Sequence, residues 1–166
     1  MMDQSIEELL AKQAINEVLS KYCSGLDRMH KGMAYAAFHK NATAIYHEVY
    51  KGTGRGFVDW VWSAHEAMER HFHQISNVFI EVAGDTATSE AYVTAVSWTL
   101  PEKNTKQVEI IGRGRYLDQW RKKQGHWAIE HREHVLDMQS LREVTPGPVS
   151  CKPSRDVSLQ VLHSVS

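Results

Sequence analysis

Phe72-His73-Gln74-Ile75-Ser76-Asn77-Val78-Phe79-Ile80-Glu81-Val82 runs into the turn Gly84-Asp85 and then into Thr86-Ala87-Thr88-Ser89-Glu90-Ala91-Tyr92-Val93-Thr94-Ala95-Val96-Ser97-Trp98-Thr99-Leu100. Apolar and polar residues alternate, and β-branched and aromatic types dominate, so two strands joined by a tight turn are expected. Before this stretch the period is different. Phe57, Val61, Ala64 and Met68 lie on one face of a helix over residues 57–70. After it, residues 101–106 form a polar turn, 107–121 a third strand, 122–125 a turn and 126–139 a fourth strand. Three successive hairpins make an antiparallel meander. The long helices all precede it, and that segregation is the α+β pattern.

The N-terminal half supplies those helices. Ser5-Ile6-Glu7-Glu8 has the spacing of a capping box, and Ile6, Leu10, Ile15, Val18, Tyr22 and Leu26 follow at helical intervals. They predict an amphipathic helix of roughly twenty residues with Asp27 at its end. One helical turn separates Tyr22 from Leu26, which brings Tyr22 near Asp27. A shorter helix follows Gly32 over 33–38, a short strand covers 43–47, and Gly52, Gly54 and Gly56 mark a loop. Residues 1–145 read as one domain. The tail, 146–166, differs: Pro146, Pro148 and Pro153 precede Val157, Leu159, Val161, Leu162 and Val165. A tail this apolar is expected to dock on the same molecule or on a neighbouring subunit.

Composition narrows the function classes. The 166 residues carry a net charge of −1 and are 42% hydrophobic, which suits one soluble domain with one core. A chain with no basic surplus is no general binder of nucleic acid. The longest apolar run, 33–38, is far too short to cross a membrane. Met1-Met2-Asp3-Gln4 lacks the basic start and apolar stretch of a signal peptide. Cys23 and Cys151 cannot make a disulfide framework. A cytoplasmic location is expected. Ten histidines are many for this length and call for an explanation.

Most motifs dissolve on inspection. Gly52-Thr53-Gly54-Arg55-Gly56-Phe57 and Gly112-Arg113-Gly114-Arg115-Tyr116 both miss the last glycine of a dinucleotide fingerprint, and no βαβ unit surrounds them. The second lies in a strand, where glycine more often allows a bend or close approach. His65-Glu66-Ala67-Met68-Glu69 has Glu69 where a zinc protease needs histidine. His131 and His134, three apart on a strand, point to opposite faces. Neither a metal nor a cofactor is expected. Cys23 sits at apolar helical spacing, as a packing residue would. What remains is His73 with Asp27. Histidine is the side chain whose ordinary pKa suits proton abstraction near neutral pH, and a carboxylate on its second nitrogen would fix the tautomer. From spacing alone this is one of many histidine–carboxylate pairs, and a surface histidine with a helix-end aspartate is the plainer alternative.

Four segments carry a resemblance. They are Ala14-Ile15-Asn16-Glu17-Val18-Leu19-Ser20-Lys21-Tyr22 with Gly25-Leu26-Asp27; His73-Gln74-Ile75-Ser76-Asn77; Gly112 to Asp118; and Gly125-His126-Trp127-Ala128-Ile129 with His131-Arg132. Over roughly residues 5–140 the chain resembles the SnoaL-like branch of the nuclear-transport-factor-like, cone-shaped α+β superfamily. The resemblance implies N-terminal helices packed on a strongly curved, mainly antiparallel sheet that encloses an apolar pocket. The site pattern is similar to that of hexachlorocyclohexane dehydrochlorinase, scytalone dehydratase and bile-acid dehydratase. It implies a catalytic Asp27–His73 pair assisted by Tyr22 and Arg132. One departure is Ala44, where the dehydrochlorinase has a bulky tryptophan on the first strand; Tyr46, two residues on, shares its face.

The expected activity is that of a cofactor-free lyase or isomerase. It would take a proton from a hydrophobic, cyclic small molecule, with Phe38, Tyr46, Trp60, His71, Phe79, Trp98 and Tyr116 as candidate pocket residues. His71 shares a strand face with His73 and is a candidate second base. The alternatives are a polyketide-cyclase-like aldol closure and a noncatalytic role, as a dioxygenase small subunit or ligand-binding module. Trimeric relatives imply a homotrimer, with a dimer as the next expectation.

Overall fold

The structure is a computed structural model that describes residues 2–101 and 106–145. The C-terminal tail and Cys151 lie outside the described residues. The first helix, α1 (Met2–Asp27), begins before Ser5, so the expected capping box lies inside the helix. Ala11, Ile15, Leu19, Tyr22, Cys23 and Leu26 form its buried stripe. Ile15, Leu19 and Leu26 are at most 1% exposed, which is worth about 1.5–3 kcal/mol each. Ile6, Leu9 and Leu10 remain exposed, because the first turns of α1 reach past the core.

The short helix α2 (Lys31–Ala36) is capped by His30, whose Nδ1 accepts from the Met33 N–H at 3.2 Å. It stops before Phe38, which opens β1 (Phe38–Tyr46) rather than ending a helix. The reason is a distant partner: the Ile129 N–H donates to the Ala37 carbonyl at 2.8 Å, and Phe38 then pairs with Ile129. A strand that the glycine pattern hid, β2 (Tyr50–Thr53), folds back on β1. Gly54 opens α3 (Gly54–Glu66), where Thr53 Oγ1 accepts from the Gly56 N–H at 3.0 Å. A Cβ on Gly54 would fall into the Phe38 ring, so packing accounts for this glycine.

The expected helix over 57–70 ends at Glu66, because Met68 already pairs with Thr99. The meander is β3 (Met68–Ala83), β4 (Thr86–Thr99), β5 (Gln107–Lys123) and β6 (His126–Val144). The sheet order is β2-β1-β6-β5-β4-β3, antiparallel throughout except for the parallel β1–β6 pair. The helices pack on the inner face of this curved, open sheet: an α+β cone. Its core is centred on Tyr22, Phe38, Tyr116, Trp120 and Ile129.

One irregularity matters for the site. Asn77 has φ 48°, and the β3–β4 register shifts between Ser76 and Phe79. That bulge flips the alternation. His73 and Ile75 face inward before it, Ile80 faces inward after it, and Phe79 is turned out, 63% exposed. No described helix is long and apolar enough to cross a membrane.

Candidate active site

The end of α1 lies against β3, an edge strand, and delivers Asp27 to it. Asp27 Oδ1 is 2.7 Å from His73 Nδ1, and Oδ2 accepts from the His73 backbone N–H at 3.0 Å. One carboxylate therefore holds both the ring and the strand. With Nδ1–H donating to Asp27, the neutral ring carries its free lone pair on Nε2. One residue earlier in α1, the Leu26 carbonyl accepts from His71 Nε2–H at 2.9 Å. That leaves His71 Nδ1 buried without a partner among the described residues. Burial pushes the His71 imidazole below its usual range. His65, from the last turn of α3, stacks on His71 with centroids 4.1 Å apart and stands 5.6 Å from the His73 ring. Burial, reinforced by these two neighbours, lowers the His65 pKa to about 3.

His73 lines a cavity of about 370 Å³. The sheet register explains its shape. His73, Ala95, Gly112 and Gln139 form one row across β3, β4, β5 and β6, and all four line the cavity. The two small residues in the middle leave the space that larger side chains would fill. A second row, Tyr46–His134–Tyr116 across β1, β6 and β5, forms another wall. Phe57, Trp60, Val61 and Ala64 close the cavity from α3. A larger groove of about 600 Å³, between the start of α1 and the turns at Gly84 and Gly125, has Glu7, Glu8, Asp85 and Lys122 on its walls but no histidine.

Behind the second row lies a buried polar layer. Tyr22 and Tyr46 share a hydrogen bond between their hydroxyls at 2.9 Å, and burial holds both phenols above their usual pKa. Arg132 donates from Nε and Nη2 to Asp118, both at 2.7 Å, with both side chains fully buried. Its Cζ lies 3.9 Å from the Tyr116 ring centroid and 4.7 Å from that of Tyr22. Burial pulls the guanidinium pKa down, but Asp118, with Tyr46 and Tyr22, more than offsets this.

The candidates from sequence thus separate. His73, Tyr46, Trp60 and Tyr116 line the cavity; Asp27 stands directly behind His73. Tyr22 and Arg132 lie behind the wall and reach the cavity only through Tyr46 and Tyr116. Phe38 is in the core, edge-on to Tyr22. His71 faces His65 and the end of α1, away from the cavity lining. Trp98, near the end of β4, donates to Glu109 at 2.9 Å and is not in the lining; the bulge turns Phe79 outward. Sequence reasoning missed His47, His65, His134 and Asp118. His65 and His134 were in view only as metal motifs. For His134 strand parity was a partial signal: it enters the cavity, whereas His131 bonds Thr43 on the outer face at 2.7 Å. No group of three or more metal-type ligands is arranged to hold an ion among the described residues. Cys23 is buried, and that burial pushes its thiol up to about 12.

Known structures share this architecture. A scytalone dehydratase-like protein from Novosphingobium aromaticivorans is 23% identical, with TM-score 0.71 over 90% of this chain and 99% of its own. A type 2 hexachlorocyclohexane dehydrochlorinase is 17% identical, with TM-score 0.73 over 84% and 95%. A type 3 hexachlorocyclohexane dehydrochlorinase from Novosphingobium barchaimii is 17% identical, with TM-score 0.70 over 81% and 91%. No curated protein sequence matches the chain. At these identities the likeness establishes the fold. The family model for the SnoaL-like domain matches residues 7–133, most of the chain, and this protein belongs to that family.

Proposed function

We propose that this protein is a cofactor-free lyase that eliminates water or halide from an apolar cyclic molecule. The observation that carries the reading is the Asp27–His73 contact at 2.7 Å with His73 in the cavity wall. His73 Nε2 takes a proton from the carbon next to the leaving group. The C–H electron pair becomes the new double bond, and hydroxide or halide departs. Asp27 stabilises the imidazolium that forms. A departing hydroxide recovers the proton from that imidazolium and leaves as water. Tyr46 lines the cavity, and in this scheme Tyr22 donates to the Tyr46 hydroxyl, whose own hydrogen is then left to donate to the leaving group. Tyr22 and Arg132 are positioning residues in this scheme. The names of the similar structures, a dehydratase and two dehydrochlorinases, support the same direction.

The test is turnover of two substrate sets, bicyclic β-hydroxy ketones and chlorinated cyclohexanes, followed by NMR. Alkene formation from a member of either set is expected. Inertness toward both, in folded protein, would count against elimination. We extend the proposal to assembly as a homotrimer, with a dimer next, because Phe72, Tyr92, Leu100, Met138 and Leu141 are exposed. Light scattering should return about three times the 19.0 kDa chain mass, and a single-chain mass would contradict it.

A further inference from the structure

The cavity around His73 has a second chemical character. Its lining includes four imidazoles, His47, His65, His73 and His134, but no Lys, Arg, Asp or Glu. The nearest full charges are set behind it. Arg132 is matched by Asp118, and Asp27 stands one ring-width behind His73. An anion in the cavity would face that carboxylate across the imidazole and find no Lys or Arg on the wall. A cation fares no better: it would find no carboxylate on the wall, and burial, with Arg132 and His47 close to His134, already holds His65 at about 3 and His134 at about 4.

His134 is built to meet a ligand. It sits between Tyr46 and Tyr116 in register, with its ring 5.5 Å from each. Neither of its ring nitrogens has a hydrogen-bond partner among the described residues. Gly114 leaves room for it: a Cβ there would stand 2.9 Å from His134 Nε2 and strike the Val135 carbonyl oxygen. His134 and His73 are three strand positions apart, a span of about 14 Å on a flat sheet, which curvature bends around the shared cavity. From this geometry we infer that the cavity, at about 370 Å³, selects a small uncharged molecule and that His134 hydrogen-bonds an oxygen of it while His73 addresses the carbon.

The inference rests on the site proposed above, though not on its chemistry, so binding tests it separately. The probes are 2-naphthol, 2-methylnaphthalene, 2-naphthoate and 2-naphthylmethylammonium at pH 7, with dissociation constants read from ligand fluorescence. The wild type should bind 2-naphthol about tenfold or more tighter than either ion, the ratio that one hydrogen bond or a modest desolvation cost gives. His134→Phe should weaken 2-naphthol about tenfold and leave 2-methylnaphthalene unchanged; His134→Gln, which keeps a polar group, should recover part of the loss. Either ion binding as tightly as 2-naphthol would overturn the proposal, as would equal losses for both neutral probes in His134→Phe. Absence of binding by all four probes would also overturn it. The wild-type comparison stands even if His134→Phe fails to fold. Naphthol selectivity in a protein that eliminates nothing would sink the lyase reading and leave this one intact. Turnover with a preference for ions would do the reverse.

Discussion

His73→Ala should lower turnover by about 10²–10⁴, because the group that takes the proton is gone while the cavity walls are unchanged. Asp27→Asn should cost a similar factor. The amide keeps the shape, but it carries no charge to hold the imidazolium and can favour the wrong tautomer on the nitrogen now 2.7 Å from Oδ1. The double variant should be little worse than either single one, since the pair acts as a unit. Binding of an apolar ligand should survive in all three. Steady-state rates and ligand affinity for the four proteins check this. Full activity in His73→Ala would move proton transfer to another group. Multiplicative losses in the double variant would show Asp27 and His73 acting independently.

Asp118→Ala should destabilise the fold by about 3–5 kcal/mol, the cost of leaving a buried charge unpaired. Asp118 and Arg132 are both fully buried and joined by two hydrogen bonds, so Arg132 would have no carboxylate to replace the one lost. The replacement of both by apolar residues, Asp118→Leu with Arg132→Met, should cost much less, because it removes the charges together. Urea unfolding of the two variants measures the difference. A loss below about 1 kcal/mol in Asp118→Ala would mean that water reaches the guanidinium. The same layer supports Tyr22 and Tyr116 from behind, so the double variant should keep its fold while losing some of its rate.

The sequence showed the meander and the first helix because each has a strong period. It also showed the pairing of His73 with Asp27, though only through the resemblance, since nothing local links residues 46 apart. Boundaries were legible only where local signals set them. Phe38 looked helical by its neighbours and became a strand because β6, ninety residues later, takes up the chain there. The bulge at Asn77 has no strong signal, and it alone decides that Phe79 turns outward. The glycines of 52–56 suggested a loop, whereas a distant ring, Phe38, accounts for Gly54. His65 and His134 needed the third dimension: each joins the cavity through packing between elements far apart in the chain.

The most direct measurement follows hydrogen at the reacting carbon. In D₂O, with a substrate identified by turnover, the wild type should release that hydrogen with a primary kinetic isotope effect when the carbon is deuterated. In His73→Ala that release should slow by about 10²–10⁴. Release that proceeds undiminished without His73 would contradict the account, whatever product is formed.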